Sequence, residues 1–380
     1  MEIRTRTDMT IALSNSILSG LGFSSDENFD NVIRGVSGLG LIADRYPSAE
    51  PFMASEIDCL RLEDEFANAS AKYRGAKSDY TKLEKAAIVS VAKALLGCSV
   101  DAASERTLFV LSTTKGNIDE IHDARKPYLW HSASLVARFF GNKNQPVVIS
   151  NACISGASAL IAAQRALKAK RYDYVIVTGV DVISEFIIAG FQSFKALSQE
   201  VCKPFDANRT GLNIGEAAAT IILTKRDVKK GDVAFVKGAV RNDANHISGP
   251  SRTGEGAYLA LKNVCASDLA FINAHGTATP YNDEMESVAL TRAGLHNVPV
   301  NSLKGYFGHT LGAAGVLESI ISIKALIKGV IPATHGFETS GVTYPIPIVK
   351  TPQKTNKTSF IKMLSGFGGC NAALLFTYHN

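Results

Sequence analysis

The sequence predicts an α/β fold built from two similar halves that carry mostly parallel sheet. Short apolar strand candidates alternate with helical segments along the 380 residues, which favours buried parallel strands. A polar break at Thr224–Asp232 lies between two apolar runs and separates the halves. Three local patterns recur across this break in the same order, which is typical of an internal duplication.

The first recurring pattern is a short apolar strand followed by small or hydroxylated residues, at Arg106–Gly116 and again at Asp268–Thr279. The second is a strand, a loop and an Ala/Gly-rich helix that ends in lysine, and the third is a glycine turn followed by a strand. Equivalent positions in the three patterns are 162, 156 and 154 residues apart. Because this spacing is nearly constant, we expect two duplicated halves, at residues 1–225 and 226–380. The equivalent positions are Ser112 and Ala274, Cys153 and His309, and Gly215 and Gly369.

Composition and cysteine usage exclude several classes of protein. Hydrophobic residues make up 46% and charged residues 20% of the chain, which is typical of a globular protein and not of a disordered one. The apolar runs are too short to span a bilayer, so we expect no membrane span. The six cysteines are scattered without a C-x-x-C pair, which argues against a disulfide framework or a zinc site and fits a reducing cytoplasm.

The N-terminal stretch and the charge distribution indicate no special targeting. MEIRTRTDMTIALSNSILSG lacks a sustained apolar core with a cleavage site, so we expect it to stay uncleaved. The net charge of +5 is spread along the chain without a long basic run, which is typical of an ordinary solvated surface. A basic face for an acidic partner is the alternative. Since no basic–aromatic platform or reader motif is present, we expect no nucleic-acid binding.

Cys153 lies in the stretch SNACISGASAL, between an apolar strand and a helix of small residues. A helix N-terminus offers unpaired N–H groups and the positive end of the helix dipole, which favour the thiolate. A backbone N–H at the same corner can hold a developing oxyanion. The small residues Gly156–Ala159 would let the helix pack closely and leave room for an acyl chain. Cys153 is therefore a candidate nucleophile, although this stretch alone also fits a small buried apolar side chain.

Two histidines strengthen the nucleophile hypothesis. His275 in NAHGTATPYND and His309 in NSLKGYFGHTLGAAG both follow strands and lie in glycine-bearing turns. Ligand sites in α/β folds gather at the ends of core strands, although a lone histidine in a loop is often structural. A pair of neutral imidazoles can donate to one thioester carbonyl and stabilise an enolate. We therefore expect both imidazoles to converge on Cys153.

Five segments, in order, resemble the β-ketoacyl-[acyl carrier protein] synthases, which are condensing enzymes of the thiolase fold. The segments are NACISG around Cys153, KPFDANRTGLNIGEAA at Lys203–Ala218, NAHGTATPYND around His275, NSLKGYFGHTLGAAGVLES around Lys304 and His309, and SGFGGCNA around Phe367. The match covers roughly residues 100–380 and is looser upstream. The resemblance implies a thiolase-like fold, with two duplicated α/β halves in a layered α-β-α-β-α arrangement.

The resemblance also implies a role for each matched residue. Cys153 would attack the acyl thioester and carry the acyl group, and its N–H and that of Phe367 would form the oxyanion hole. His275 and His309 would bind the malonyl thioester and promote its decarboxylation, and the resulting enolate would attack the acyl-cysteine. Lys304 would orient the histidines through hydrogen bonds.

The other implied residues support these groups. Glu318 would be the ionic partner of Lys304. Phe367 would be a movable gate, because the glycines around it, including Gly366 and Gly368, allow the loop to move. No metal or organic cofactor is expected, because loss of CO2 generates the carbon nucleophile. The implied partners are an acidic acyl carrier protein, loaded with acyl or malonyl groups, and a second subunit in a homodimer or a ketosynthase-type heterodimer.

The segment PFDANRTGLNIGE carries Asp206, Arg209 and Glu216 and has two interpretations. Its charges suggest a loop that binds phosphate or metal, but it lacks the G-K-[ST] ending of a phosphate loop. We expect instead that the charges pair to fix a turn near the site.

Some positions depart from the common family pattern. Ile154 stands where a smaller residue usually follows the nucleophile, and we expect it to shape the substrate pocket or to pack at a subunit contact. Ala278 and Cys370 also differ from the common residues. The sequence between Ser55 and Thr107 is expected to contribute little to the usual extra layer.

Rival functions are open at this point. A thiolase-like acyl-CoA acyltransferase would use a second cysteine near the C-terminus, for which Cys370 is the candidate, but two histidines with Lys304 favour the decarboxylating enzymes. A chain-length-factor-like subunit would lack the nucleophile, and a cysteine peptidase would have no use for paired histidines. Fatty-acid, polyketide and polyene synthesis share these motifs, so the sequence does not determine the pathway or the acyl chain length.

Overall fold

The structure, a computed structural model, describes residues 8–46, 50–73 and 78–380. The expectation of an uncleaved N-terminus rests in part on residues 1–7, which lie outside the described residues. Among the described helices, none has the length and apolar character needed to cross a bilayer.

Strands and helices are interspersed along the described part of the chain. The strands are β1 (Asp8–Ser19), β2 (Gly40–Ile42), β3 (Phe52–Ser55), β4 (Thr107–Ser112), β5 (Val147–Ile149), β6 (Tyr174–Asp181), β7 (Ile214–Gly215), β8 (Ala217–Asp227), β9 (Val233–Asn242), β10 (Leu269–Asn273), β11 (Val300–Asn301), β12 (Val330–Ile331), β13 (Gln353–Lys354), β14 (Ser359–Gly366) and β15 (Cys370–Tyr378). The α-helices are α1 (Ser25–Ile33), α2 (Cys59–Tyr73), α3 (Lys82–Leu96), α4 (Leu129–Phe139), α5 (Ser155–Lys168), α6 (Glu185–Ser193), α7 (Glu255–Val264), α8 (Pro280–Arg292), α9 (Lys304–Phe307) and α10 (Ala314–Lys328).

The main sheet contains ten strands in the order β11-β10-β14-β15-β9-β1-β8-β6-β4-β5. When the five strands of each half are numbered along the chain, both halves show the same order from the outer edge inward, 3-2-4-5-1. The halves meet where β1 pairs with β9 in antiparallel orientation. The repeated strand order is the structural counterpart of the sequence repeat, and the duplicated α/β fold expected from the sequence is present.

The expectation of a mostly parallel sheet is wrong, because many of the strand pairs are antiparallel. Within each half the two outer pairings are parallel and the two inner pairings are antiparallel. A short connection explains part of this result, because β14 and β15 are joined by only residues 367–369, and so tight a turn can link only antiparallel strands.

Side chains alternate between the two faces of each half-sheet and so separate the helical layers. On β6, Val175 and Val177 belong to the same core as α5 and α10, whereas Ile176 and Val180 belong to the core beneath α3. Helices α5 and α10 contact strands of both halves and form the middle layer. Helices α2, α3 and α4 cover one outer face, and α7 and α8 cover the other. The layers are therefore α-β-α-β-α.

Helices α2 and α3 occupy the region between Ser55 and Thr107, where the sequence was expected to contribute little, and that expectation is wrong. Helix α3 begins with a capping box, in which Thr81 and Glu84 each bind the other's backbone N–H. Eleven of its fifteen residues are buried against the sheet. The capping pattern T-x-x-E and the apolar residues that follow it predict this helix, so the signal was present in the sequence.

A loop at residues 228–232 joins the last sheet strand of the first half to the first strand of the second. Strand β8 continues to Asp227 and β9 begins at Val233, so a division between residues 225 and 226 would cut the end of a strand. We propose two domains that correspond to the duplicated halves and are divided within residues 228–232.

Candidate active site

Cys153 is held in a strained turn between β5 and α5. Ala152 has a φ of 44°, in the left-handed region that residues other than glycine rarely adopt. The hydroxyl of Ser155 fixes this turn, because it accepts a hydrogen bond from Asn151 N–H at 2.7 Å and donates one to Ala152 O at 2.6 Å. Strain of this kind concentrates at functional sites. The turn places Cys153 two residues before the first residue of α5.

Glycines bring the first turn of α5 into contact with the start of α10. A Cβ atom on Gly156 would lie 2.9 Å from Val316 N, and one on Gly315 would lie 2.3 Å from Ala157 N. The backbones therefore approach too closely for any side chain at these positions. The small residues behind Cys153 allow close packing, as expected, but they leave no room there for an acyl chain, since α10 fills the space.

His275 lies immediately beyond β10, in a turn held by Glu286 of α8. The two Glu286 oxygens accept hydrogen bonds from His275 N–H and Gly276 N–H, each at 2.7 Å. Gly276 has a φ of 45°, and a Cβ atom there would lie 2.6 Å from Ser302 Cβ. Burial raises the pKa of Glu286 to about 7, against the opposing effect of these N–H groups. The turn thus aims the imidazole inward from a fixed backbone.

His309 lies between α9 and α10 and is bound through its backbone to the first half of the chain. Its N–H donates to Asn213 O at 2.7 Å, and its carbonyl accepts from Gly215 N–H at 3.0 Å. The ring atom Nδ1 accepts a hydrogen bond from Leu311 N–H at 3.2 Å. Because Nδ1 is an acceptor, the proton of the neutral ring is on Nε2.

The structure brings Cys153, His275 and His309 together. One ligand atom of each residue lies within 4.8 Å of the others, and the two ring centroids are 5.0 Å apart at an interplanar angle of 81°. All three side chains are buried. His275 Nδ1 and His309 Nε2 have no hydrogen-bond partner in the described part of the chain. A carbonyl group that entered this site would therefore contact one thiol and two imidazoles whose nitrogen atoms are free to form hydrogen bonds.

Burial keeps the three groups neutral. Removal from water lowers the pKa of both histidines well below 6.5, and the nearby positive charge of Lys304 adds to this effect. Burial raises the pKa of the Cys153 thiol to about 12, although Lys304 and the Phe367 N–H act in the opposite direction. Burial therefore favours the thiol form of Cys153, in opposition to the helix N-terminus, which favours the thiolate.

Phe367 lies at the tip of the β14–β15 hairpin, over Cys153. Gly366 and Cys370 pair across the hairpin, and Gly368 has a φ of 83° that favours glycine. A Cβ atom on Gly366 would lie 3.1 Å from Cys153 N, so a glycine lets the hairpin lie against the nucleophile. The Phe367 ring is 38% exposed. It packs on two aromatic rings at the end of α6, those of Phe191 and Phe194, at 5.7 and 5.4 Å.

Lys304 and Glu318 form a fully buried ion pair. Burial tends to raise the pKa of Glu318, but two ammonium groups outweigh it and the pKa is lowered. The Lys304 ammonium donates to Glu318, and no hydrogen bond joins it to either imidazole in the residues that the structure describes. The hydrogen bonds expected from Lys304 to the histidines are thus absent from the structure, and Lys304 acts on the histidines through its charge.

Lys362 is the second ammonium group at Glu318, and the sequence interpretation missed it. Its Nζ pairs with Glu318 Oε2 and donates to Ala274 O at 3.0 Å, and the side chain is completely buried. A single lysine within the apolar strand SFIKMLSG was the available signal, because buried lysines are rare unless they are paired.

A cavity of about 440 Å³ leads from the surface to Cys153, His275 and His309. Aromatic side chains line it, namely Phe191, Phe194, Tyr281 and Phe367. Ile154 was expected in the substrate pocket but does not line this cavity. Its side chain is fully buried in the core that α5 and α10 share, because it lies at the start of α5 and points inward. That expectation is therefore wrong for the described cavity.

The charged residues of PFDANRTGLNIGE bind other parts of the protein, in agreement with the structural interpretation. The Asp206 carboxylate accepts hydrogen bonds from the backbone N–H groups of residues 208, 338 and 339. Arg209 donates to the Asp206 and Gly341 carbonyls, each at 2.8 Å. Glu216 pairs with Lys82 at 2.6 Å. These contacts fix the loop beside the site.

Cys370 lies beside the site and outside the cluster of three residues. Its thiol donates to Phe367 O at 3.3 Å, and burial raises its pKa to about 11. The thiol therefore supports the tip of the hairpin. Ala278, the other unusual residue, is buried with a φ of 60° in the turn after His275.

The layered fold and the buried Cys-His-His cluster define a protein of the thiolase-like class. Two family models match this chain: "Beta-ketoacyl synthase, N-terminal domain" over residues 75–228 and "Beta-ketoacyl synthase, C-terminal domain" over residues 233–338. Together they cover more than half of the chain, so the protein belongs to the β-ketoacyl synthase family.

Individual relatives agree with this assignment. The chain is 34% identical over 256 residues to a putative mitochondrial 3-oxoacyl-[acyl-carrier-protein] synthase of Schizosaccharomyces pombe, a match that spans 60% of each chain. It is 31% identical over 366 residues to the actinorhodin polyketide putative beta-ketoacyl synthase 1 of Streptomyces coelicolor, covering 88% of this chain and 77% of the relative. The match with the first relative thus spans less than two thirds of that relative's length.

A solved structure shares the whole fold. This chain matches a chain in the structure of the ketosynthase ApeO of Xenorhabdus doucetiae in complex with its chain length factor ApeC. The TM-score is 0.83 and the sequence identity is 25%, over 100% of both chains.

Proposed function

We propose that this protein is a β-ketoacyl-[acyl carrier protein] synthase, which joins an acyl group on Cys153 to a malonyl unit through a decarboxylative Claisen condensation. The observation that carries the proposal is the convergence of one thiol and two imidazoles within 4.8 Å at the end of a cavity. Reacting groups held at this range need little further ordering to reach a shared thioester.

In the first half-reaction, Cys153 accepts the acyl group. The sulfur forms a bond to the acyl carbonyl carbon, the carbon–sulfur bond to the carrier breaks, and the thiol proton ends on the released carrier thiol. Because the pKa of Cys153 is about 12, deprotonation must accompany the attack. The N–H groups of Cys153 and Phe367 hold the carbonyl oxygen as it gains negative charge.

In the second half-reaction, His275 and His309 bind the malonyl thioester carbonyl. The bond between the α-carbon and the carboxylate breaks, CO2 leaves, and the electron pair forms an enolate whose oxygen is held by the imidazoles. The enolate carbon then attacks the acyl carbonyl, and the Cys153 sulfur leaves and takes up a proton. Neutral rings suit this step, because the His309 Nε2–H can donate a hydrogen bond and no charged histidine has to be buried.

The proposed partners are an acyl carrier protein, which delivers both the acyl and the malonyl group, and a second subunit. The related ketosynthase ApeO is in complex with its chain length factor, which supports a heterodimer, and a homodimer is the alternative. We propose a cytoplasmic location, on the basis of the unpaired thiols. Phe367 is proposed as the gate over Cys153, since it is partly exposed and lies between glycines.

Cys153→Gln tests the assignment of the two half-reactions. We expect condensation to fall by about three orders of magnitude or more, as removal of a nucleophile usually does, while CO2 release from malonyl carrier protein continues. The measurement is product formation by mass spectrometry alongside CO2 release, with Cys265→Ser as the control, since Cys265 is an exposed cysteine. Loss of CO2 release in Cys153→Gln would refute the assigned roles of the histidines.

A thiolase-like acyltransferase is the second candidate, because Cys370 lies beside the site. That function requires Cys370 to exchange protons with the substrate, whereas its thiol is bound to the Phe367 carbonyl. Cys370→Ser separates the two candidates. Unchanged condensation with malonyl carrier protein supports the synthase, and loss of acyl transfer between CoA thioesters supports the thiolase-like enzyme.

A further inference from the structure

Lys362 projects from the middle of β14 toward the middle helical layer. Phe360 and Leu364, two residues to either side and on the same face of the strand, belong to the core that α5 and α10 share. The strand is paired on both sides, with β10 through Asn273 and with β15 through Leu374. The backbone of Lys362 is thus fixed, and its ammonium group has a defined position.

The Lys362 ammonium group binds oxygen atoms only. It pairs with Glu318 Oε2 of α10 and donates to Ala274 O at 3.0 Å, and Asn273 O lies at 3.5 Å. Every polar contact of this buried group therefore goes either to the carboxylate shared with Lys304 or to the backbone that leads into His275.

The peptide bond between Ala274 and His275 is held from both sides. Its carbonyl oxygen accepts from Lys362, and its N–H donates to Glu286 at 2.7 Å. One partner is a cation on β14 and the other is a carboxyl group on α8, and bonds to charged partners are stronger than neutral ones. This peptide sets the direction in which the His275 ring projects, so Lys362 controls the placement of a reacting group that it does not touch.

The charges around Lys362 do not balance. A single carboxylate, Glu318, lies between two ammonium groups, and its pKa is lowered by both. The other titratable groups near Lys362 are Glu286 and the imidazoles of His275 and His309. Burial raises the pKa of Glu286 to about 7 and lowers the pKa of Lys362 to about 8. Below about pH 7, Glu286 is therefore protonated and Lys362 charged, and with Glu318 ionised one positive charge is left in excess behind the imidazoles. Such a charge opposes protonation of the rings and favours an anion at the end of the cavity.

We propose that Lys362 is a positioning residue for the malonyl half-reaction: its ammonium group fixes the Ala274–His275 peptide and, together with Lys304, maintains the positive charge behind the two imidazoles. The inference rests on the proposed function and adds a residue to it. Lys362 touches neither the nucleophile nor the cavity, so the acylation of Cys153 does not depend on it.

Lys362→Met tests the inference, because methionine fills much of the space and removes the ammonium group. We expect kcat for CO2 release from malonyl carrier protein to fall about tenfold or more, while the rate of Cys153 acylation, followed by intact-protein mass spectrometry, changes by less than about twofold. The acid limb of the pH profile for CO2 release should move up by about one pH unit, because loss of a nearby positive charge raises the histidine pKa values.

Two further variants complete the test. Lys357→Met is the matched control, since Lys357 precedes the same strand and donates to Leu269 O of β10 at 3.1 Å, at the end of the strands away from the site. We expect its pH profile to be that of the unmodified protein. Lys362→Gln also removes the charge and provides the same readout if Lys362→Met does not fold, as judged by circular dichroism.

The outcomes separate the inference from the proposed function. If the unmodified protein releases no CO2 from malonyl carrier protein, the proposed function is refuted and the inference with it. If it does release CO2, and the Lys362 variants release it equally fast with an unmoved acid limb, only the role of Lys362 is overturned. A parallel loss of acylation and decarboxylation would show a general structural role and would also overturn the inference.

Discussion

At the scale of single residues, burial decides the protonation state of the reacting groups. Cys153, His275 and His309 are each less than 10% exposed, and the uncharged form of each is favoured because the charged form loses its hydration. In the proposed reaction the site therefore starts from neutral groups and develops charge only in the transition state. The fixed N–H groups and the excess charge of the lysine pair are placed to stabilise that charge.

The lowered histidine pKa values predict how CO2 release depends on pH. Burial, followed by the charge of Lys304, holds both imidazoles neutral well below pH 6.5. We therefore expect kcat/KM for CO2 release to stay level from about pH 7 down to about pH 6 and to decline only in more acid solution. The measurement is the initial rate across this range in buffers of constant ionic strength. A half-maximal rate at the ordinary histidine value would contradict the structure.

The lowered pKa values of His275 and His309 also make the stability of the fold decrease as the pH falls. Unfolded histidines bind protons as the pH falls through about 6.5, while the folded ones do not. The contribution of His275 and His309 to stability is thus complete above that pH and is lost as the pH falls toward their folded pKa values. Thermal unfolding followed over the same pH series shows whether a fall in rate at low pH reflects titration of the site or loss of the fold.

Motifs in the sequence predicted which three residues cluster but not their environment. Cys153, His275 and His309 each lie in a short pattern of glycine and small residues, which can be recognised locally. The helix N-terminus that favours a thiolate can be recognised locally, whereas the burial that favours the thiol depends on distant segments. Ile154 was expected in the pocket or at a subunit contact because it replaces a smaller residue after Cys153, whereas its side chain packs in the core that α5 and α10 share. Lys362 lies in no recognisable motif, and its role can be inferred only from its ion pair with Glu318 in the folded protein.

At the scale of elements, the crossing of α5 and α10 brings the two halves of the site together. Helix α5 follows the Cys153 turn and α10 follows the His309 turn, so the distance between the helix starts sets the distance between thiol and imidazole. Asp181 strengthens this junction, because its carboxylate accepts from Thr113 Oγ1 at 2.6 Å and from Gly312 N–H at 2.7 Å. The contact between the helices therefore fixes the relative positions of the Cys153 and His309 turns.

Gly315→Ala tests the contact between these helices. The added methyl group would lie 2.3 Å from Ala157 N, on a backbone that cannot move aside cheaply. We expect a loss of about 1–3 kcal/mol in the free energy of unfolding, the usual cost of overpacking, and a larger loss in condensation rate than in carrier-protein binding. The measurements are chemical denaturation and steady-state kinetics.

Gly190→Ala is the matched control for Gly315→Ala. Gly190 lies within α6, and a Cβ atom there has open space within 4 Å. Alanine has a higher helix propensity than glycine, so the variant should be as stable as the unmodified protein or slightly more stable. Equal stability of Gly315→Ala and Gly190→Ala would show that the α5–α10 contact is less tight than the structure indicates.

Element types were easier to predict than strand direction. Alternating apolar segments indicated strands and helices, and the recurring patterns revealed the duplication. Parallel or antiparallel pairing depends on which strands become neighbours. In each half the fourth and fifth strands insert between the second and the first, and no local pattern reports that order. The sheet expected to be mostly parallel is therefore mixed.

At the scale of the whole molecule, the ten-stranded sheet ends in β5, the strand that leads to Cys153. Val147, the first residue of β5, is 37% exposed, and the strand has only β4 as its neighbour. An exposed apolar edge strand tends to pair with another chain unless it is covered. This edge therefore suits the second subunit of the proposed dimer, and an interface here would lie next to the turn that holds the nucleophile.

Val147→Lys tests whether the β5 edge forms the subunit interface and whether that interface supports activity. A lysine on the edge strand should oppose pairing of two sheets, because two like charges would face each other across the interface. We expect sedimentation velocity to show a shift from dimer to monomer, with a fall in condensation rate, since the Cys153 turn would lose the support of the second subunit. Leu96→Lys is the control, because Leu96 is 68% exposed at the end of α3, away from this edge. A dimer that survives Val147→Lys unchanged would place the subunit interface on another surface.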